Sequence, residues 1–379
     1  MLKRKNGFCV TLQIENLSKN KLMKILHIAC IGHHAEGIGT VLQKLVPEQL
    51  SLGQDVRIIT VCVNQLYSNL PIVTITRRIN FLKYLSLWMP DIVVFHSMYE
   101  MIYIQFYKVL INLNIPYLVQ MHGALSISNY RKNYIRKLIA NYLFFNTFLK
   151  KAAGIIYLNE QEYNNCVVKE INPLAVIIPN GCDLRPFSLS QEQSKPPLEI
   201  VYVGRIAIVH KALDVLVEAI RIIQLLNVEN IHFSFYGNGD RKEQAIFSES
   251  LNGLEKYAEF KGAIFGDEKV KIMTSCNMFI LTSRYEGMPM GVLEALSFGI
   301  PCILTPGTNL ADSVEIAGAG WKTECVAQAI AECIIRSANE YSMNPQKFHR
   351  AAYEISKKYD WRTIAVQSLN CYRRFCGIL

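Results

Sequence analysis

The 379-residue chain is predicted to fold as α/β, in two domains that each carry a doubly wound parallel sheet. Three observations predict this. The length exceeds what one ordinary hydrophobic core organises, so two domains follow. Short runs rich in β-branched residues recur along the chain, each followed by glycine or polar residues, as in parallel sheets covered on both faces. One stretch also spells out a whole strand–loop–helix–strand unit. Met278 to Leu281 reads as a buried strand, and the chain turns at Glu286-Gly287. Pro289 suits the first helical turn, where its missing N–H costs nothing. Val292, Ala295, Leu296 and Gly299 follow at helical spacing, Gly299 ends the helix, and Ile300 to Leu304 is the next strand.

Taken in order, residues 1–22 have no place in such a fold and read as a short extension or as the product of a wrongly chosen start codon, because Met23-Lys24 leads directly into a first strand, Met23 to Ile31. A polar loop, Gly32 to Gly39, precedes a helix from Thr40. Gly37 and Gly39 sit where strand becomes helix, a natural phosphate cradle, and the alternative is a tight turn only. Leu42 stands where the dinucleotide fingerprint has its third glycine. Val56 to Val63, Asp91 to Ser97 and Pro116 to Gly123 are further strands. His122 lies at a strand's carboxyl end, where open α/β sheets bind ligands, and His96 ends the previous strand. His33-His34 reads as loop surface. Tyr130 to Lys151 mixes Arg131, Lys132, Arg136, Lys137, Lys150 and Lys151 with six aromatic residues. It reads either as a helix lying on an anionic membrane surface or as a core helix with a solvated basic face. Gly154 to Asn159 and Val176 to Asp183 close a first domain spanning 23–185.

Polar residues bounded by prolines make 186–197 the hinge. A second domain, 198–358, opens with the strand Leu198 to Val203, followed by Gly204, Arg205 and Lys211 and then a helix, Ala212 to Leu225. A strand end, a glycine, two cations and a helix start suit a diphosphate. Phe233 to Asp240 is a strand with a glycine turn at Gly237, Phe260 to Gly266 is strand-like, and Ala327 to Ser337 is helical. Residues 359–379 form an amphipathic terminal helix.

In the central unit Glu286 lies in the loop and Glu294 one to two turns along the helix, on either side of a helix start that binds anions. Carboxylates beside a phosphate site repel the phosphate unless they serve something else, and neutral hydroxyls of a sugar or ribose fit. The string S-R-Y-E-G-M-P-M-G-V-L-E-A-L-S-F-G-I-P, Ser283 to Pro301, resembles the donor-sugar signature of the retaining family-4 glycosyltransferases, of the bacterial polysaccharide-assembly type. The resemblance spans residues 23 to 379 and is most specific in the second half. It implies the GT-B fold, two Rossmann-like domains facing a central crevice with the terminal helix packing back on the first. It implies a nucleotide-diphosphate sugar as donor, with UDP or GDP as the nucleotide and a glycan or lipid-linked glycan as acceptor. Arg205 and Lys211 would neutralise the diphosphate, with Ala212 where the family has glycine. Gly204, Gly237, Gly287 and Met288 would lie against the nucleotide, Phe265 would line the base pocket, and Glu294 would hold the ribose. Glu286 would hold the transferred sugar, His122 would contact it, and the Gly37–Gly39 turn would approach the diphosphate or the acceptor.

No Asp-x-Asp occurs in the chain, so the cations and the helix start are expected to stabilise the leaving group, with no metal and no cofactor. The eleven scattered cysteines form no C-x-x-C and read as core thiols of a reducing compartment. A net charge of +9 calls for an anionic partner, either a nucleotide substrate or a membrane face. No RNP pattern, zinc-finger spacing or basic tail points to nucleic acid. No signal peptide and no spanning helix is evident, so a cytoplasmic protein, peripheral on the inner membrane surface at most, is expected. Two other functions fit the same motifs less fully: a catalytically inactive nucleotide- or sugar-binding protein of this fold, and a Rossmann-fold nicotinamide enzyme.

Overall fold

The computed structural model describes residues 22–31, 36–62, 70–124, 134–187 and 196–377. It divides into two compact units, Met1–Gly181 with Trp361–Leu379, and Cys182–Asp360. Most of the polar stretch assigned as the hinge, the His33-His34 pair and all but Leu22 of the N-terminal extension lie outside the described residues.

Among the described residues the first unit is built on seven parallel strands: β1 Lys24–Ala29, β2 Asp55–Thr60, β3 Ile72–Thr74, β4 Ile92–His96, β5 Tyr117–Gln120, β6 Gly154–Tyr157 and β7 Ala175–Ile177. Their order is β3-β2-β1-β4-β5-β6-β7. Every residue of β4, β5 and β6 is buried, as strands covered by helices on both faces must be. Phe95 of β4 meets the rings of Tyr117 and Phe148 edge-on, while Tyr117 and Phe148 stack 5.5 Å apart. The Tyr117 hydroxyl donates to the Phe148 carbonyl at 2.6 Å. This aromatic knot clamps the helical stretch Tyr134–Lys151, which has one π turn at Asn141–Phe145. The stretch contributes to the core on one side and is exposed on the other: Phe145, Phe148 and Leu149 are core, whereas Ile135, Ile139, Tyr142 and Leu143 are exposed.

The terminal helix Trp361–Phe375 belongs to this unit and packs on the helix Glu36–Ser51, through Gln49 to Ser368 among other contacts. Gly154 and Gly181 leave room for the Phe375 and Trp361 rings, which a Cβ at either position would meet at 2.5 Å.

The second unit carries β8 Leu198–Val203, β9 Ile231–Tyr236, β10 Ala258–Gly262, β11 Met278–Leu281, β12 Cys302–Leu304 and β13 Gly320–Lys322. They are parallel, in the order β10-β9-β8-β11-β12-β13. The helix Met290–Ser297 ends in a paired-bond cap: Gly299, at φ +74°, donates to the Leu296 carbonyl and Ile300 to that of Ala295.

Several expectations are corrected. The helix after β1 starts at Glu36, so Gly37 and Gly39 fall in its first turn and not in a loop. Phe265 follows β10 after a gap and immediately precedes the helix Gly266–Ser275, because Gly262, at φ +79°, turns the chain first. Cys30 and Cys62, at the carboxyl ends of neighbouring β1 and β2, form a disulfide with Cα atoms 5.1 Å apart. The core-thiol reading holds for Cys166, Cys182, Cys276, Cys302, Cys333 and Cys371, which are buried and free. The short edge strands β3 and β13 escaped the sequence reading, since three residues carry too little pattern. Among the described residues no helix is long and apolar enough to cross a membrane.

Candidate active site

In the second sheet β8 and β11 are neighbours, while the chain continues from β8 to β9 on one side and from β11 to β12 on the other. The loops leaving their carboxyl ends therefore part and leave a crevice, the place where open parallel sheets bind ligands. Gly204, Arg205 and Lys211 follow β8, and Ser283 to Pro289 follow β11.

Backbone packing shapes this end of the sheet. Gly204 N–H donates to Tyr236 O at 3.0 Å and Gly237 N–H to Gly262 O at 2.8 Å. A Cβ on Gly237 would lie 1.8 Å from Gly204 O, and one on Gly239 2.3 Å from Ile206 O. Gly237 is thus needed to let the β9 turn close on the β8 loop, a structural reason that nucleotide contact does not require. Tyr202 folds its ring along Gly204 and donates to Arg205 O at 2.7 Å. Gly307, whose Cβ would lie 2.3 Å from Ser283 O, closes the loop after β11 in the same way.

The charged groups then interlock. Lys211 Nζ lies 2.5 Å from Glu286 Oε1, with the two side chains 13% and 12% exposed. Ser283 Oγ donates to the same oxygen at 2.6 Å. Asn309, at the turn after β12, donates to the Glu286 and Gly287 carbonyls at 2.6 and 3.1 Å and so fixes that loop. Arg205, exposed, has its Nη2 3.1 Å from His210 Nδ1, and His210 Nε2 is 2.8 Å from the Tyr285 carbonyl. A guanidinium only donates and a carbonyl only accepts, so His210 is the neutral Nε2–H tautomer. Burial lowers its basicity in the same direction, against the pull of Glu286. Arg284 makes a bidentate pair with Asp214 at 2.9 and 2.8 Å and donates to Val209 O, bracing the β11 loop against the helix Leu213–Leu225.

Glu294, on the helix Met290–Ser297, pairs with Lys269 of the helix Gly266–Ser275 at 2.5 Å. Phe265, just before that second helix, is 74% exposed and presents an open aromatic face. Met288 is 6% exposed, its side chain packed inward, so its backbone is what a ligand could meet.

His122, Gly37 and Gly39 belong to the first unit. Gly37 has nothing within 4 Å of where its Cβ would be, so no close approach in the structure demands a glycine there. His122 sits just past β5 at φ +49°, a strained backbone for a residue with a Cβ, and Nε2 of its ring lies 3.0 Å from Nδ1 of buried His96. The next residue, Gly123, donates its N–H to Oε1 of buried Glu162, whose other oxygen accepts from Leu158 N–H at 2.5 Å. Burial pushes the Glu162 carboxyl up to about 7 against those two bonds.

The sequence reading missed His210, Ser283, Asn309, Lys269 and Glu162. Asn309, a polar residue at a strand's carboxyl end, was open to the rule that found His122. Lys269 and Glu162 lie on helices whose surroundings no local pattern reveals.

Ala212, fully buried, takes the left-handed conformation at φ +51°, ψ +39° that glycine would occupy without strain. Glycine would relieve about 1–2 kcal/mol of backbone strain, but would lose a buried methyl worth about 0.8 kcal/mol and gain about 0.4–1 kcal/mol of unfolded-state freedom. Ala212→Gly is therefore expected to change stability by less than about 1 kcal/mol, and Ala212→Val to cost more than about 2 kcal/mol. Urea denaturation of both variants checks this; a valine variant as stable as the glycine one would contradict the left-handed assignment.

Residues 197–340 match the family model described as "Glycosyl transferases group 1". That stretch includes the β8 and β11 loops and every charged residue of the cluster around Lys211. Among curated relatives, the sulfoquinovosyl transferase of Arabidopsis thaliana is 27% identical over 186 residues, 48% of this chain and 34% of that protein. The N,N'-diacetylbacillosaminyl-diphospho-undecaprenol alpha-1,3-N-acetylgalactosaminyltransferase of Campylobacter jejuni is 25% identical over 279 residues, 69% of this chain and 71% of that protein. The chain spans half or less of the length of the first curated relatives it matches. Among solved structures, Anabaena HepE in complex with UDP covers 93% of this chain and 100% of its own, at a TM-score of 0.75 and 17% identity. The fold is that of the GT-B glycosyltransferases, and residues 197–340 carry a group 1 glycosyltransferase domain.

Proposed function

We propose that the chain is a retaining glycosyltransferase that moves a sugar from a UDP- or GDP-sugar to a glycan or lipid-linked glycan acceptor without a metal ion. The observation that carries this reading is the cluster at the β8/β11 switch. There Arg205, Lys211, the start of the helix Met290–Ser297 and the Glu286 carboxylate, which Lys211 and Ser283 hold, all fall within the group 1 domain.

The chemistry follows from charge. Breaking the bond from the anomeric carbon to the diphosphate oxygen develops negative charge on the leaving group. Arg205, Lys211 and the start of the helix Met290–Ser297 are preorganised to receive it. In a retaining transfer the acceptor oxygen bonds to the anomeric carbon on the face the diphosphate leaves, and its proton passes to a leaving phosphate oxygen. Glu286 accepts hydroxyls of the transferred sugar, Glu294 those of the ribose, Phe265 lines the base pocket, and His122 meets the sugar. The Campylobacter relative and an Escherichia coli galactosyltransferase carry a diphospho-undecaprenol acceptor in their names, which supports a lipid-linked acceptor here. The exposed apolar face of Tyr134–Lys151, beside Arg136 and Lys137, supports peripheral contact with an anionic membrane.

A panel of nucleotide sugars, followed by donor hydrolysis, identifies the donor. With that donor, Glu294→Gln is expected to weaken both the free nucleoside diphosphate and the intact donor. Glu286→Gln should leave diphosphate affinity within about threefold and lower turnover on the order of a hundredfold, through lost positioning. Calorimetry and steady-state rates separate the two. Equal damage to nucleotide binding from both variants would contradict the division of the carboxylates between sugar and ribose.

Sedimentation with anionic vesicles is expected to carry the protein down and to weaken as salt rises, with Ile139→Ser/Leu143→Ser reducing it. Binding indifferent to lipid charge and salt would contradict the membrane assignment.

A further inference from the structure

His122 ends a hydrogen-bonded file that runs through the first unit. Its Nε2 is 3.0 Å from Nδ1 of His96; Nε2 of His96 is 2.8 Å from Nδ1 of His27; and Nε2 of His27 is 2.9 Å from Oε1 of Gln49. Gln49 Nε2 donates to Ser368 Oγ at 2.9 Å, and Ser368 Oγ donates to the Ala365 carbonyl at 2.7 Å. His27, His96, Gln49 and Ser368 are all buried, and Tyr372 lies within hydrogen-bonding reach of Gln49 and Ser368.

The far end sets the direction of every bond. A carbonyl only accepts, so the Ser368 hydroxyl spends its proton on Ala365, and its oxygen accepts from the Gln49 amide N–H. That fixes the Gln49 amide with its oxygen toward His27, and His27 must carry its proton on Nε2. A neutral imidazole has one donor and one acceptor, so Nδ1 of His27 accepts from Nε2–H of His96 and Nδ1 of His96 accepts from Nε2–H of His122. Burial holds all three rings below their ordinary basicity, His27 and His122 down at about 4, so the file stays neutral near pH 7.

We infer that His96, His27 and Gln49 are positioning residues that lock His122 in the Nε2–H tautomer, leaving its Nδ1 lone pair to accept a hydrogen bond from a sugar hydroxyl. The lock is anchored on the terminal helix, which supplies Ser368 and the Ala365 carbonyl. This rests on the reading that His122 meets the sugar, but the tautomer is a property of the free protein and is measurable without any substrate. A second neutral tautomer at His122 would turn Nδ1 from acceptor to donor.

Long-range proton–nitrogen correlation spectra of the full chain with ¹⁵N-labelled histidine test this. The wild-type protein is expected to show His122, His96 and His27 all as Nε2–H tautomers. Gln49→Met, which keeps the side-chain length but removes the acceptor, should make His122 a tautomer mixture. It should also lower kcat about tenfold, the worth of one hydrogen bond, with nucleoside-diphosphate affinity unchanged. A wild-type His122 protonated on Nδ1 would overturn the inference, as would a Gln49→Met variant with unaltered spectrum and rate. If Gln49→Met does not fold, the wild-type spectrum alone decides. A locked Nε2–H tautomer together with a His122→Phe variant of unchanged rate would instead refute the sugar contact and leave the lock standing.

Discussion

The ion pair between Lys211 and Glu286 holds the second unit's site together. Each side chain is roughly seven-eighths buried, at 13% and 12% exposure, and neither charge is tolerable at that depth without the other. The pair exists because the strand order reverses between β8 and β11, which brings the loops of two distant stretches of chain side by side. It also needs the close backbone approaches at Gly204, Gly237 and Gly307, the left-handed turn at Ala212 and the grip of Asn309 on the β11 loop. In the proposed reaction a diphosphate replaces Glu286 as the partner of Lys211, and sugar hydroxyls replace Lys211 as the partners of Glu286. Both charges then stay satisfied, so the pair opens without leaving a buried ion alone.

Much of this was legible in the sequence, for physical reasons. Strands buried on both faces are continuous apolar runs, so β4, β5, β8 and β11 stood out, and the glycine, proline and two glutamates after β11 announced a turn, a helix start and polar ligands. The partners of those groups were not legible. Lys269 is twenty-five residues from Glu294 and Asn309 twenty-three from Glu286, and only the folded sheet joins them. Gly237 was read as a nucleotide contact because a glycine turn at a strand end has two causes, ligand approach and backbone crowding, and the sequence cannot separate them. Cys30 and Cys62 looked like unpaired core thiols because their pairing depends on β1 and β2 being neighbours.

The first unit shows the same limit more sharply. His27 appears as a stray polar residue in the apolar strand Lys24–Ala29, and Gln49 as an ordinary helical glutamine. Their meaning appears only when the terminal helix, more than three hundred residues away in sequence, brings Ser368 to Gln49. The buried Glu162 carboxylate fixes the turn after His122 from the other side, through Gly123. The His122 side chain is thus held by buried groups on five separate elements, which is how a side chain is kept in one geometry and one protonation state.

The central claim is that Arg205 and Lys211 form the diphosphate site of a sugar donor. Calorimetry of the wild-type protein and of Arg205→Ala and Lys211→Ala with nucleoside diphosphates and the matching monophosphates tests it most directly. The account predicts that UDP or GDP binds at least about tenfold more tightly than its monophosphate, and that each substitution removes roughly 2–5 kcal/mol from the diphosphate but less from the monophosphate. Equal losses for the two ligands, or no preference for the diphosphate in the wild-type protein, would contradict it.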